Sequence, residues 1–86
     1  MEPEKIVFPC DYPIKVVARA DVSLRVRLDV VFERHFGPFD AGRVTGRESA
    51  QKNFSSYTYL MHVREVAQLA AVHSDLQATE GVVLVI

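Results

Sequence analysis

Any chemistry in this chain has to come from one cysteine, three histidines and a short run of basic residues. A nucleophilic enzyme needs Cys10, or a serine, beside a histidine that a third group orients. Cys10 stands in Phe8-Pro9-Cys10-Asp11 with no histidine close in sequence, and a thiol becomes reactive only where neighbours lower its pKa. It reads as an incidental small residue. His35, His62 and His73 fall on three different expected elements and show neither i, i+4 nor short-loop spacing, so no metal site is expected. Arg43, Arg47 and Lys52, with Asn53, surround a polar stretch and would suit a small anionic ligand, a phosphate or a carboxylate. Glu48 dilutes that charge, and Gly42 and Gly46 lack the following lysine and helix start of a phosphate-binding loop, so a plain solvated loop is the competing reading. No catalytic residue and no cofactor is expected, and the chain reads as a binding protein rather than an enzyme.

The elements that must position these residues are bounded by composition. At 86 residues there is room for one core. With 49% apolar and 24% charged residues the composition is that of an ordinary globular domain, not of a disordered chain. A net charge of −1 supplies no long-range pull toward nucleic acid or an acidic membrane. A single cysteine excludes an internal disulfide and fits a reducing cytoplasm. Met1 to Lys5 is acidic where an export signal is basic, and the apolar run after it is cut by Pro9, Asp11 and Pro13. The longest apolar stretch, Val82 to Ile86, is far short of the ~20 residues that cross a bilayer. The expectation is a soluble cytoplasmic domain with no membrane association.

Residues 1–11 read as a flexible N-terminal arm whose Phe8 docks on the core, and residues 12–86 as a single domain. From Tyr12 to Ala20, Ile14, Val16 and Ala18 alternate with Lys15, Val17 and Arg19, the period of a half-buried strand. Asp21 is a helix cap and Gly37-Pro38 a stop, which predicts a helix over Val22 to Phe36. Its face of Leu24, Leu28, Val31, Phe32 and His35 is the core side, with Arg25, Asp29 and Glu33 turned away. A second row, Val22, Val26 and Val30, is expected to be buried in a wide arc between the sheet and a neighbouring helix, with a dimer contact as the alternative. Arg43-Val44-Thr45 begins a short second strand, followed by a polar loop over Gly46 to Asn53.

Phe54 to Val63 resumes strand alternation, with Tyr57, Tyr59, Met61 and Val63 on the helix side and Ser56, Thr58, Leu60 and His62 on the other. A second helix carries Val66, Leu69, Ala70, Val72, His73 and Leu76, and His35 and His73 are expected half-buried. Val82 to Ile86 is the last strand. The order β-α-β-β-α-β predicts an α+β, ferredoxin-like two-layer sandwich: a four-stranded antiparallel sheet with two helices on one face and strands one and three in the centre.

Phe8-Pro9 with Tyr12, Ile14-Lys15-Val16-Val17, Arg34-His35, and Asn53-Phe54-Ser55-Ser56 together resemble the YbeD family of small bacterial proteins, in order and over nearly the whole chain. That resemblance implies the same ferredoxin-like fold, similar to the regulatory ACT domains, which bind small molecules at interfaces between paired domains. It also implies an accessory role in lipoate metabolism as one alternative, and no established activity.

The uncovered sheet face is therefore the candidate interface, formed by Lys15, Val17, Arg19, Thr58, Leu60, Val83 and Val85. Aliphatic groups on an open face mark self-association, a protein partner or a small ligand, because leaving them wet forgoes roughly 25 cal/mol per Å² of burial. RNA binding is the alternative from another class. It is disfavoured because the aromatic residues of the central strands point to the helices and leave no stacking platform except Phe54.

Overall fold

The computed structural model describes residues 7–48 and 53–86. Residues 1–6 of the expected arm, and Lys52 of the expected loop, lie outside the described residues.

The alternating run of the first strand forms β1 (Cys10–Arg19), and the second alternating run forms β3 (Phe54–Val63). They pair antiparallel over their full lengths, from Cys10 opposite Val63 to Arg19 opposite Phe54. β1 begins two residues before the expected domain boundary at Tyr12, so Cys10 and Asp11 belong to the sheet and not to the arm. Phe8 docks on the core as expected, its ring beside Tyr12. The order of strands across the sheet is β2-β3-β1-β4, with the two long strands central, as the sequence predicts.

Helix α1 spans Leu24–Phe36 and starts two residues later than expected. The Asp21 carboxylate accepts from the backbone N–H and the hydroxyl of Ser23, at 2.8 and 3.0 Å, and so closes a turn ahead of the helix instead of capping its first turn. The helix ends at Gly37, whose φ of 80° favours glycine and whose N–H returns to the Glu33 carbonyl. A 3-10 turn (Ala41–Arg43) then leads into β2 (Val44–Glu48). The expected polar loop over Gly46 to Asn53 is shorter at its start, because Gly46, Arg47 and Glu48 pair with Tyr57, Ser56 and Ser55. Gly46 is required there: a β-carbon would stand 2.7 Å from the Tyr57 ring, which lies over the edge strand. Helix α2 (Val66–Gln77) and β4 (Val82–Val85) complete the chain.

The core is the layer between helices and sheet. Ile14, Val16 and Ala18 meet Tyr59, Met61 and Val63 from the sheet, and Leu24, Leu28, Val31, Phe32, Val72 and Leu76 from the helices. Tyr59 sits in its middle, stacked on Phe32 at 3.8 Å between centroids and met edge-on by Phe39. Its hydroxyl donates to Asp29. Burial, then that bond to a carboxylate, pushes the Tyr59 hydroxyl well above its ordinary pKa, so it remains a neutral donor. Asp29 also accepts from Arg25 at 2.9 Å and thus serves the core, where the sequence turned both residues away from it.

The helices are tied by Asp75 of α2, which accepts from Arg34 and lies against His35 of α1, each at 2.9 Å. His35 is half-buried as expected, whereas His73 is exposed. The valine row is also exposed and not part of a buried arc: Val22 fully, Val26 by 65% and Val30 by 50%. Core contact uses the face of Leu24 and Leu28, and α2 lies on the flank of Arg34 and His35, so the row opposite the core meets nothing. No helix among the described residues is long and apolar enough to cross a membrane.

Tyr59→Phe keeps the ring stacking and removes only the hydroxyl. It is expected to lower the unfolding free energy in a urea titration by about 1–3 kcal/mol, since a buried bond to a charged acceptor is lost. Unchanged stability would show that Asp29 contributes nothing through Tyr59.

Candidate functional site

The sheet face away from the helices is built in rows, because directly opposed residues of an antiparallel pair point to the same side. One row runs Arg47, Ser56, Val17, Leu84 across all four strands. The next runs Thr45, Thr58 and Lys15, beyond which Ile86 exchanges both backbone hydrogen bonds with Lys15, at 3.1 and 2.8 Å. Arg19 opposite Phe54 closes one end of the face, and Asp11 opposite His62 closes the other. Lys15, Val17, Arg19, Thr58 and Leu60 therefore share the open face as the sequence places them.

Strand β4 departs from its expected faces. Val85 lies opposite Val16 and is 9% exposed, so it belongs to the core and not to the candidate interface. A bulge between Val17 and Ala18 breaks the register: Leu84 stands opposite Val17 while Val82 stands opposite Ala18, leaving Val83 unpaired and 58% exposed. Leu84, 50% exposed, takes the interface position assigned to Val85. Counting back from the core residue Val16 would have revealed this parity, but the bulge has no signal in an all-apolar strand.

The candidate ligand loop is not one site. Arg43 ends the 3-10 turn and donates to Asp11 at 3.1 Å, whereas Arg47 sits in β2 opposite Ser56. Four residues of extended chain separate them by roughly 13 Å. Asn53 lies at the far end of the hairpin, where its carbonyl accepts from the N–H of Ala20. Arg43 instead joins His62, whose Nδ1 is 3.1 Å from the same Asp11. The two flank a groove that Phe36, Phe39 and Leu60 also line. Asp11, which the sequence placed in the arm, is thus the organiser of this end of the face. Cys10 is one residue away, but strand alternation sends it with Val63 to the helix side and His62 to the open side.

Charge on the face is uneven. The hydrogen bond from His62, then that from Arg43, holds the Asp11 carboxyl below its ordinary value of 3.8. Lys15, Arg19 and Arg47 have no carboxylate within ion-pair distance among the described residues. Lys15 and Arg19 flank Val17 on β1, Arg47 and Leu84 lie in the Val17 row, and Leu60 lies beyond Lys15 toward Asp11.

Fold and face together define a ferredoxin-like α+β domain with one side of its sheet basic and, among the described residues, uncovered. A family model described as "Protein of unknown function (DUF493)" matches residues 3–86. The chain is 39% identical over 87 residues to a UPF0250 protein of Ectopseudomonas mendocina, covering all of this chain and 95% of the relative. It is 36% identical to a UPF0250 protein of Pseudomonas aeruginosa, covering 94% of that chain, and 27% identical to one from Hahella chejuensis, covering 93%. The protein belongs to this DUF493 family, the YbeD family that its motifs resemble. No solved structure matches the chain.

A carboxyl with a lowered folded-state pKa adds stability above its unfolded value, and loses it as pH falls through the folded one. Native-state stability should therefore drop below about pH 4, as Asp11 and the similarly held Asp75 are protonated. Urea midpoints measured between pH 2 and 7 should fall less steeply for Asp11→Asn than for the wild type. Equal slopes would mean that the Asp11 cluster is not formed in solution.

Proposed function

We propose that this protein is a non-catalytic binding module of a reducing compartment, acting through the open sheet face on a partner or ligand that carries acidic groups. One observation carries the reading: Lys15 and Arg19 flank Val17 on β1 and Arg47 stands in the same row as Val17 and Leu84, and none of the three cations has an ion pair among the described residues. Apolar contact supplies affinity and the cations choose the sign of what binds. The same cations argue against self-association through this face. A two-fold axis opposes a patch to its own copy, and like charges would meet.

The regulatory role of the ACT-like domains fits this reading, with a small carboxylate or phosphate as ligand. RNA is the less favoured anion, because Tyr57 and Tyr59 lie on the helix side and give the open face no central stacking ring.

A thermal-shift screen tests the proposal, since a ligand of the folded state raises the melting temperature by mass action. The probes are small carboxylates, including amino acids and lipoate, small phosphates, a glutamate-rich peptide and a single-stranded RNA oligonucleotide. A carboxylate, phosphate or acidic-peptide hit should weaken with salt and vanish in the Lys15→Glu, Arg19→Glu double variant. A hit by RNA alone would transfer the face to nucleic acid. No hit at low salt, or hits indifferent to the double variant, would sink the reading.

A further inference from the structure

The outer surface of the helix layer has features that neither the core nor the sheet face explains. On α1, Val26 and Val30 stand exposed on the line opposite the core, and Val22, also exposed, lies in the turn two residues ahead of the helix. Valine on a solvent-facing helix line loses side-chain freedom against the preceding turn, and Ala, Glu, Lys or Arg would favour the helix more. The row therefore costs local stability and exposes apolar area at once. Beside it, the exposed side of α2 carries Ala67, Ala70, Ala71 and Ser74, with no charge among them.

Several charges bordering the two helices are paired within the chain, although Glu33, exposed and three residues beyond Val30 on the same outward line, has no ion pair among the described residues. Arg25 pairs with Asp29, Arg34 and His35 with Asp75, and Arg27 with Asp21 and the carbonyl of Glu80. On the sheet face, by contrast, Lys15, Arg19 and Arg47 have no ion pair among the described residues. A pairing of α1 on α2 sets Val26, Val30 and Glu33 against the uncharged row of Ala67, Ala70 and Ser74, so in that arrangement like charges do not oppose.

We infer that two copies of this chain associate through the outer surface of the helix layer. The valine ridge of α1 in one copy packs on the flat row of Ala67, Ala70 and Ser74 on α2 of the other, and the two-fold axis repeats the contact reciprocally. Short side chains on α2 let the ridge approach closely. Helices about 20 Å long, set side by side, give a footprint of about 400 Å² per copy and about 800 Å² in all. That falls short of the ~1,000 Å² of a stable specific interface, so the dimer is weak and transient. The pairing leaves both open sheet faces outward and available to ligand.

Sedimentation equilibrium of the full chain from 10 µM to 1 mM tests this. The wild type should show a monomer–dimer equilibrium, and Val26→Glu and Ala70→Glu should each weaken it at least tenfold. Both positions are exposed, so helical circular dichroism and the melting temperature of the monomer should be unchanged. Leu60→Asp, on the sheet face, should leave the association as it is. A wild type that stays monomeric at 1 mM overturns the inference, and so does a dimer that resists both helix variants or is broken by Leu60→Asp.

Discussion

Everything in this fold is arranged around the burial of Tyr59. It is the bulkiest fully buried side chain, it stands on a central strand, and its ring needs flat partners while its hydroxyl needs an acceptor. Phe32 supplies the stack, Phe39 the edge contact and Asp29 the acceptor. Those three residues come from α1 and from the segment that leads into β2. One side chain of β3 thereby sets the height and rotation of α1 over the sheet. A hydroxyl left unbonded at this depth would cost on the order of the bond itself, so the position of Asp29 is as constrained as that of a core residue.

That constraint has consequences at the surface. With α1 fixed by Leu24, Leu28, Val31 and Phe32 underneath, and α2 held against its flank through Asp75, the valine row is turned outward. The sheet, covered on one side, presents its other side with cations that nothing in the described chain neutralises. Two surfaces of opposite electrostatic character result from a single packing decision. One is apolar with most of its bordering charges paired and Glu33 exposed on it, and the other is apolar with positive charge that no described residue pairs. The first is where association with a second copy is proposed, and the second where a partner of opposite sign is proposed.

At the end of the sheet, Asp11 draws together His62 from β3 and Arg43 from the 3-10 turn. This closes the seam between the start of β1 and the entry to β2, and it keeps Arg43 away from the other cations of the face. The cluster is a local brace with exposed members, and its carboxylate makes it sensitive to acid.

Hydropathy period was enough to reveal the elements, their order, the central pairing of β1 with β3, and which side of those strands faces the helices. Ile14, Val16 and Ala18 against Lys15 and Arg19, and Tyr59 and Met61 against Thr58 and His62, are patterns in which each residue type matches its side. Where both sides are apolar, period carries no information. So Val83, Leu84 and Val85 were sorted only by the register of β4 on β1 and the bulge within it. The valine row was ambiguous for a similar reason, since a helix with two apolar rows does not say which of them its neighbours cover. The meeting of Asp11 with His62 and Arg43, and of Asp29 with Tyr59, joins residues 30 or more positions apart. Such pairs depend on strand register and on how a helix is seated, and those are settled by packing the whole core, not by any local run of sequence.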